Sequence, residues 1–500
     1  MVETASLMPS GRATPTEEMG IRRVYTAFVF TLCLAWLIAI ASQFLNDPDT
    51  FWHIRTGRDI WESGHLPVID SYSHSYFGQP WIAKEWLAQL LLFAAHAIGG
   101  WNAVIGLAIL SIAATGALSF YYLSLRLNPS LAIILTLIAV FASSQTYLAR
   151  PHVLAFPIVI IWTEHVLRAA EKDEAPPLAL ILLMVLWANL NGSFLIGLVI
   201  AGFGFLSFLQ RAKNPVPNGT VAWLVFLASS LLATAIHPYG ARALTTAIGM
   251  FGAKEWLIWG EWRPVDVATD PVHEVLLLGL LAITLVAGLR LRASKAAFVV
   301  ALLHLFLTHV RFAYLFYFLV PLACSYEVAQ QKPNLANFFQ WLKFDRAVFG
   351  TISRRSGSIV AALSLLSAAV FTYFLVASTY RPPSDIAPAA ALEFARSAKI
   401  SGNVLNSGEF GGYLIFEGVK TFLDGRGDQL FDDAFIGELS AGPQPNSDEA
   451  LRKLSRLLER YNIAWSLLKT SDPRVSMMDR LTNFRRVFQD KDAVIHIRTD

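Results

Sequence analysis

Apolar runs long enough to cross a bilayer recur along this chain, and no other feature limits its fold as strongly. A spanning helix needs about 20 apolar residues, within a range of about 17–25. Candidate runs are 24–45, 101–123, 130–148, 153–168, 177–190, 192–210, 220–237, 273–290, 295–309, 311–328 and 357–379. Several are short and separated only by Arg150-Pro151, Asn191-Gly192 or Val310-Arg311. Inside lipid, backbone polar groups must bond within their own segment, so runs like these read as helices. The expectation is an all-α polytopic membrane protein of about 11 transmembrane helices. Composition agrees: of 500 residues, 55% are hydrophobic and only 15% charged, too few charges to cover a soluble chain of this size. A net charge of +3 gives no reason to expect nucleic acid as a partner. Cys33 and Cys324 both lie inside apolar runs, without metal-ligand spacing or a disulfide framework. The run after Arg22-Arg23 exceeds the apolar core of a signal peptide, about 7–15 residues, and reads as an uncleaved first span.

Lysine and arginine placement sets the orientation. Segments on the N-terminal side of the bilayer carry about twice as many as those opposite, which puts the N-terminus in the cytoplasm. An odd number of spans then puts the C-terminus outside. Three parts follow: a cytoplasmic tail, 1–23; a transmembrane unit, 24–379, with long outer loops 46–100 and 238–272; and a soluble extracytoplasmic domain, 380–500. In the first loop, Trp81 to His96 reads as an amphipathic helix at the interface. In the second, the tryptophans of GAKEWLIWGEWRPVD suit interfacial depth.

After Arg381-Pro382-Pro383 the composition becomes that of a soluble unit. Asn403–Asn406 reads as a strand, Gly411-Gly412 as the opening of a short helix, and Thr421–Leu423 as a second strand. Ser447–Ile463 has a serine cap and an acidic first turn, which signals a helix. Ala464–Leu468 reads as a strand, and Phe484–Phe488 with Ala493–Ile497 as a hairpin. The sum is a small α/β domain.

Charges at a membrane are costly, so each is a candidate for function. Under the topology above they gather on one side. Asp47, Asp49, Trp52, His53, Arg55 and Arg58 follow the first span; Arg150 and His152, then Asn189 and Asn191, occupy outer turns; His237, Tyr239, Glu255, Glu261, Trp262, Arg263 and Asp266 belong to the second long loop; His309 and Arg311 lie in the last outer hairpin. Each also has a plainer reading. Arg150-Pro151 suits a turn, Asn189 and Asn191 suit helix caps, His237 suits a turn, His53 an interfacial anchor, and Glu261 a local pair with Arg263. Asp424, Arg426 and Asp428 suit a turn with a salt bridge. Asp47 and Asp49 suit a helix cap, but two carboxylates beside a bilayer gain nothing from anionic lipid. Carboxylates deprotonate hydroxyls or hold a divalent metal. Arginines with histidines grip phosphate oxygens and stabilise a phosphate leaving group. Aromatics at this depth pack on sugars or lipid chains. The combination fits group transfer from a lipid-linked phosphate. No convincing hydrolase nucleophile is present.

At these residues the chain resembles bacterial multi-pass proteins of the GT-C glycosyltransferase superfamily. The first loop carries Asp47-Pro48-Asp49, Trp52-His53, Gly57, Pro67, Asp70, Ser73, Gly78, Pro80-Trp81 and Glu85-Trp86-Leu87. The likeness continues through Arg150-Pro151-His152, Trp187-Ala188-Asn189 with Gly192, His237-Pro238-Tyr239-Gly240, Glu261-Trp262 and Arg311. It extends to Gly411-Gly412-Tyr413 and Asp424-Gly425-Arg426, covering 25 to 430. The resemblance implies a GT-C-like fold and an inverting transferase using polyprenyl-phosphate sugar donors. It also implies that an acidic residue just after the first span serves as base or metal ligand. Asp47 and Asp49 match that position, with Asp49 the first choice for base; a divalent metal, if used, falls to the same pair.

The expected function is transfer of a sugar from a polyprenyl-phosphate donor to a glycan, lipid or protein acceptor of the cell envelope, at the outer face of the cytoplasmic membrane. Arg150, His152, His237, Arg311 and Arg55 are the donor-phosphate candidates. His53, Trp52, Asn189, Glu261 and Trp262 are the substrate-binding candidates. Membrane lipid is a further expected partner. A transporter of lipid-linked glycans and a non-catalytic envelope scaffold are the alternatives, and the apolar middles of most spans argue against the first.

Overall fold

The computed structural model describes residues 15–211, 217–249, 262–336, 351–439 and 447–499. Helices in chain order are α1 (Pro15–Ala39), α2 (Asp49–Ser63), α3 (Trp86–Leu123), α4 (Pro129–Ala142), α5 (Pro151–Glu171), α6 (Leu180–Leu190), α7 (Phe194–Arg211) and α8 (Pro217–Ala233). They continue as α9 (Ala241–Gly249), α10 (Pro271–Ala287), α11 (Ala293–Thr308), α12 (Ala313–Gln331) and α13 (Ser356–Ala377). Each of the eleven expected runs has its apolar helix. The segments Pro15–Ala39, Trp86–Leu123, Pro151–Glu171, Phe194–Arg211, Val310–Gln331 and Ser356–Ala377 are long and apolar enough to cross a membrane. The other five apolar helices are shorter. The chain is a multi-pass membrane protein with a small C-terminal α/β unit.

Two of the runs that end early matter for the site. The run 24–45 is helical to Ala39 and then makes a 3₁₀ turn, Ala41–Leu45. The run 130–148 is helical to Ala142, where Ser143-Ser144-Gln145 interrupts it. The two non-helical ends are joined by a hydrogen bond from Ala149 N to Phe44 O, 2.9 Å. Backbone freed from a helix in lipid must bond to protein, and here the two freed segments bond to each other.

The first long loop departs from its expected form. Its polar start is itself a helix, α2, ended by Gly64 in the left-handed region with its N–H on Ile60 O. The interfacial helix expected over Trp81–His96 begins only at Trp86 and continues through a break at Gly99-Gly100 into the spanning part of α3. Trp81, Ile82 and Ala83 are buried instead of lying on a surface helix. Trp81 meets Trp52 and Tyr72 edge-on, at centroid distances of 6.3 and 5.9 Å.

The C-terminal unit adds α14 (Ala389–Ser397), α15 (Gly408–Phe416), α16 (Asp433–Leu439), α17 (Asp448–Arg460) and α18 (Arg474–Met478). Its sheet has β1 (Asn403–Asn406), β2 (Ile463–Lys469), β3 (Phe484–Gln489) and β4 (Ala493–Arg498) in the order β1-β2-β4-β3. β1 runs parallel to β2, and the other pairs are antiparallel. Ser447 caps α17 as its sequence signals, accepting from Ala450 N. Gly411-Gly412 falls inside α15, which opens after Ser407. Thr421–Leu423 is not a strand of the sheet. The Asn406 side chain takes Phe422 N and gives to Leu423 O, so this backbone is satisfied without a strand neighbour. Thr421 instead bridges to the first loop, donating to Tyr72 O and accepting from His74 N.

One apolar core runs through both the C-terminal unit and the first loop. Trp52, Ile60, Tyr72 and Trp81 pack with Leu405, Ile415, Phe422 and Leu468. A second, larger core fills the helical bundle around α3, α5 and α12.

Candidate active site

The polar residues meet where the first loop, the ends of the bundle helices and the C-terminal unit come together. Asp47 precedes α2 and caps it. Its carboxylate accepts from Asp49 N and Thr50 N, each at 3.2 Å, and from the Thr50 hydroxyl at 2.9 Å. The capping reading of the acidic pair is therefore correct for Asp47, which is 2% exposed. Asp49 stands in the first turn, where the helix dipole favours an anion. Asp49 and His53 are one helical turn apart and share a face of α2.

Arg150 reaches this pair from the start of α5. Pro151 occupies the first helical position and holds Arg150 in an extended conformation just before it. The Arg150 Nε lies 3.0 Å from Asp47 Oδ2, and its Nη2 is on Asp49 Oδ2. One guanidinium thus bridges both carboxylates. The C-terminal unit closes over them. A Cβ on Gly425 would fall inside the Asp49 carboxylate, and one on Gly412 would fall on the Pro48 carbonyl oxygen. Only glycine admits this approach, which explains Gly412 and Gly425 as a docking surface, whereas Gly411 packs on Leu423 and Asp424 of its own unit.

A cavity of about 670 Å³ opens here. Its walls include Asp47, Asp49, Trp52, His53, Arg150, His152, Trp262 and Arg311, all singled out in the sequence. Arg311 lies over the Trp262 ring, 4.3 Å from its centroid. The walls also include Asn191, named in the sequence beside Asn189, and Lys84, Glu85, Gln89, Glu409 and Asp428, which the sequence reading did not assign to the site. Glu85 is the most informative. It is held just before α3, with Asn191 Nδ2 donating to its Oε1. Gln89 Nε2 lies 3.3 Å from His53 Nδ1, and His53 Nε2 lies 3.9 Å from Glu85 Oε2. Burial pushes the Glu85 carboxyl up; Lys84 pulls the other way, and Asp428 adds to the rise. Burial holds the His53 imidazole well below its usual range, and Lys84 and His152 push in the same direction. His53 is therefore neutral near pH 7. Lys84 is paired with Asp428. The available signal for Glu85 was its place in an otherwise apolar stretch, Glu85-Trp86-Leu87, where a carboxylate is costly.

Three expected site residues do not line the cavity. Arg55 turns away to Asp59 and to the carbonyls of Ile415 and Phe416 at the end of α15. His237 hydrogen-bonds Lys84 O through Nε2 at 3.0 Å and so supports Lys84 from behind. Asn189 is occupied by Trp86 Nε1, Val185 O and Ile236 O, and its neighbour Asn191 reaches the cavity instead. Glu261 lies outside the described residues. His152 bonds Thr146 O through Nε2 at 2.9 Å, at the cavity edge. Asp424 and Arg426 are structural, as their plainer reading held, but buried instead of exposed. Arg426 has no solvent exposure and pairs with Asp424 and Asp70.

The acidic pair does not fit a divalent metal as it stands. Mg²⁺ or Ca²⁺ takes about six to eight oxygen ligands, waters among them, and needs carboxylate oxygens free to bind it. Asp47 is already taken by two backbone N–H groups, a hydroxyl and Arg150, and Asp49 by Arg150. Among the described residues no three His, Cys, Asp or Glu side chains converge in metal-binding geometry.

No family model and no curated protein matches the chain. Solved structures do. The archaeal oligosaccharyltransferase AglB from Archaeoglobus fulgidus, in complex with an inhibitory peptide and a dolichol-phosphate, matches with a TM-score of 0.54 at 11% identity. The match covers 89% of this chain and 69% of that one. The Archaeoglobus fulgidus oligosaccharyltransferase in its apo form gives a TM-score of 0.52 at 14% identity, over the same shares. ArnT from Cupriavidus metallidurans, bound to undecaprenyl phosphate, matches at 12% identity and a TM-score of 0.44, over 93% of this chain and 97% of that one. By its likeness to these two oligosaccharyltransferase structures, the chain shares their polytopic helical fold.

Proposed function

We propose that this protein is a glycosyltransferase that moves a sugar from a polyprenyl-phosphate donor to a cell-envelope acceptor, at the outer face of the cytoplasmic membrane. The observation that carries the reading is the cavity itself. Asp49, Glu85, Arg150, Asn191, Arg311 and Asp428 come from six separate segments and share one wall system. The fold supports it, since a similar structure holds a dolichol-phosphate.

The roles follow from chemistry. Glu85 is the better proton acceptor, because burial raises its basicity while Asp49 already spends its charge on Arg150. The acceptor hydroxyl gives its proton to Glu85 as its oxygen bonds to the anomeric carbon. The bond from that carbon to the phosphate oxygen breaks, and its electron pair stays on the phosphate. Lys84 and Arg311 balance the charge that develops there. Asp49 and Arg150 keep the start of α2, and with it His53, in register beside Glu85. Trp262 and Trp52 offer apolar faces to the isoprenoid or the sugar.

The test is transfer by the purified chain in vesicles, with a panel of polyprenyl-phosphate-linked sugars. Glu85→Gln is expected to lower the rate by about 10²–10⁴-fold, and Asp49→Asn to lower it as well. Full transfer by both variants would sink the reading, as would lipid scrambling without any transfer. Sidedness is checked separately: an impermeant maleimide applied to intact cells is expected to label Glu62→Cys on α2.

A further inference from the structure

Two carboxylates two residues apart at a helix start suggest a metal site, yet the space between them is filled. We infer that Arg150 is the resident countercation of Asp47 and Asp49, standing where a divalent metal would stand, so that this site works without one.

The guanidinium is not a passing surface partner. It is delivered by backbone geometry, an extended residue locked before Pro151 at the head of α5. It touches both carboxylates through different nitrogens, Nε to Asp47 and Nη2 to Asp49. All three side chains are largely buried, at 15% exposure or less. Asp47 cannot swing away to recruit a metal without uncapping α2, because it also holds Asp49 N and Thr50 N. Asp49 cannot swing away either, because Gly425 of the C-terminal unit lies against its carboxylate. A divalent ion entering here would have to displace Arg150 or sit beside its positive charge. The planar, permanently charged fork of arginine suits the role where lysine would not, since it reaches two carboxylates at once. Two negative charges and one positive leave the pair with a single net negative charge, held in fixed geometry and not exchangeable with solvent ions.

The inference rests on the reading of this cavity as the reaction site only for its consequence, transfer that is insensitive to chelators. Its direct test needs no activity. Mn²⁺ is titrated into the full-length chain in lipid nanodiscs and followed by electron paramagnetic resonance. The wild type is expected to bind no Mn²⁺ at this site, Arg150→Ala to gain one Mn²⁺, and Arg150→Ala with Asp49→Asn to lose it again. Stoichiometric binding by the wild type that disappears in Asp49→Asn overturns the inference. So does an Arg150→Ala chain that binds no more than wild type. Arg150→Gln, which keeps more of the volume, serves if the alanine variant does not fold. If neither variant survives, the wild type against Asp49→Asn decides by itself. Transfer abolished by a chelator in the wild type would overturn the consequence, whereas absence of transfer from every donor would count against the proposed function and leave the Mn²⁺ result standing.

Discussion

A guanidinium without solvent contact needs its donors filled, and Arg426 meets that demand. Its Nε and Nη2 donate to Asp424 at 2.8 Å each, and its Nη1 to Asp70 Oδ1 at 2.6 Å. It also lies against the rings of both Tyr72 and Trp81, 5.0 Å from each centroid. Burial alone would push its ionisation down, and the two aspartates more than reverse that. Arg426→Leu leaves two buried carboxylates unpaired and is expected to cost about 3–5 kcal/mol of stability, measured as a lowered thermal midpoint in detergent. Glu85 makes a different prediction at the same scale. A base must be ionised to accept a proton, and its carboxyl is raised. Transfer is therefore expected to be full well above the ordinary carboxylate range and to fall as the pH drops through the raised value. In Glu85→Asp the acid limb is expected to move, and in Glu85→Gln to vanish from the residual rate, in a pH–rate profile.

Among the elements, α2 does the most positioning. Its first residues carry the acidic pair, its middle carries Trp52 and His53, and α15 of the C-terminal unit lies against its start through Gly412. Adding a methyl group there forces the two helices apart. Gly412→Ala is expected to cost about 1–3 kcal/mol and to raise hydrogen exchange in α2 and α15, with exchange in α5 and α12 unchanged. Uniform protection in the variant would show that the contact is not a constraint. α2 was also the element least legible in sequence. It follows an apolar run and holds five charged residues, so it read as a loop. Its signals were present, the Asp47 cap and Gly64 at the C-terminus, but they are short and common. The expected strand at Thr421–Leu423 failed for the opposite reason: the local pattern suits a strand, but the Asn406 side chain satisfies the backbone first.

For the molecule as a whole, the two ends of the bundle differ in what their charges do. At the end opposite the cavity, Lys295 donates to Glu171 at 2.9 Å, to Glu327 at 2.8 Å and to Ala323 O at 3.2 Å. Arg126 joins the same group through Glu164 and Glu171, at 2.8 and 2.9 Å. Arg126 and Lys295 are thus members of a buried network tying the turn after α3 to α5, α11 and α12. Lys295→Met is expected to destabilise by about 3–5 kcal/mol while leaving transfer per folded molecule unchanged. A thermal midpoint and a specific activity from one preparation check both halves. If activity falls with stability intact, the network is coupled to the cavity and the separation of the two ends is wrong.

Hydrophobic length and period are local properties, so the amino-acid sequence by itself determined the eleven apolar helices, the C-terminal strands β1 to β4 and the capped helix α17. It also marked Asp49, Arg150 and Arg311 as charges needing an explanation. Only the tertiary structure decided which charges meet. Asn191 and Glu85 are 106 positions apart, and Arg426 and Asp70 are 356 apart. No repeat or spacing encodes such pairs, because a charge pair depends on distance in space and falls off steeply once the partners separate. The same physics sent Arg55 and His237 away from the cavity and brought Glu85 into it: each buried polar group took the nearest partner that packing allowed.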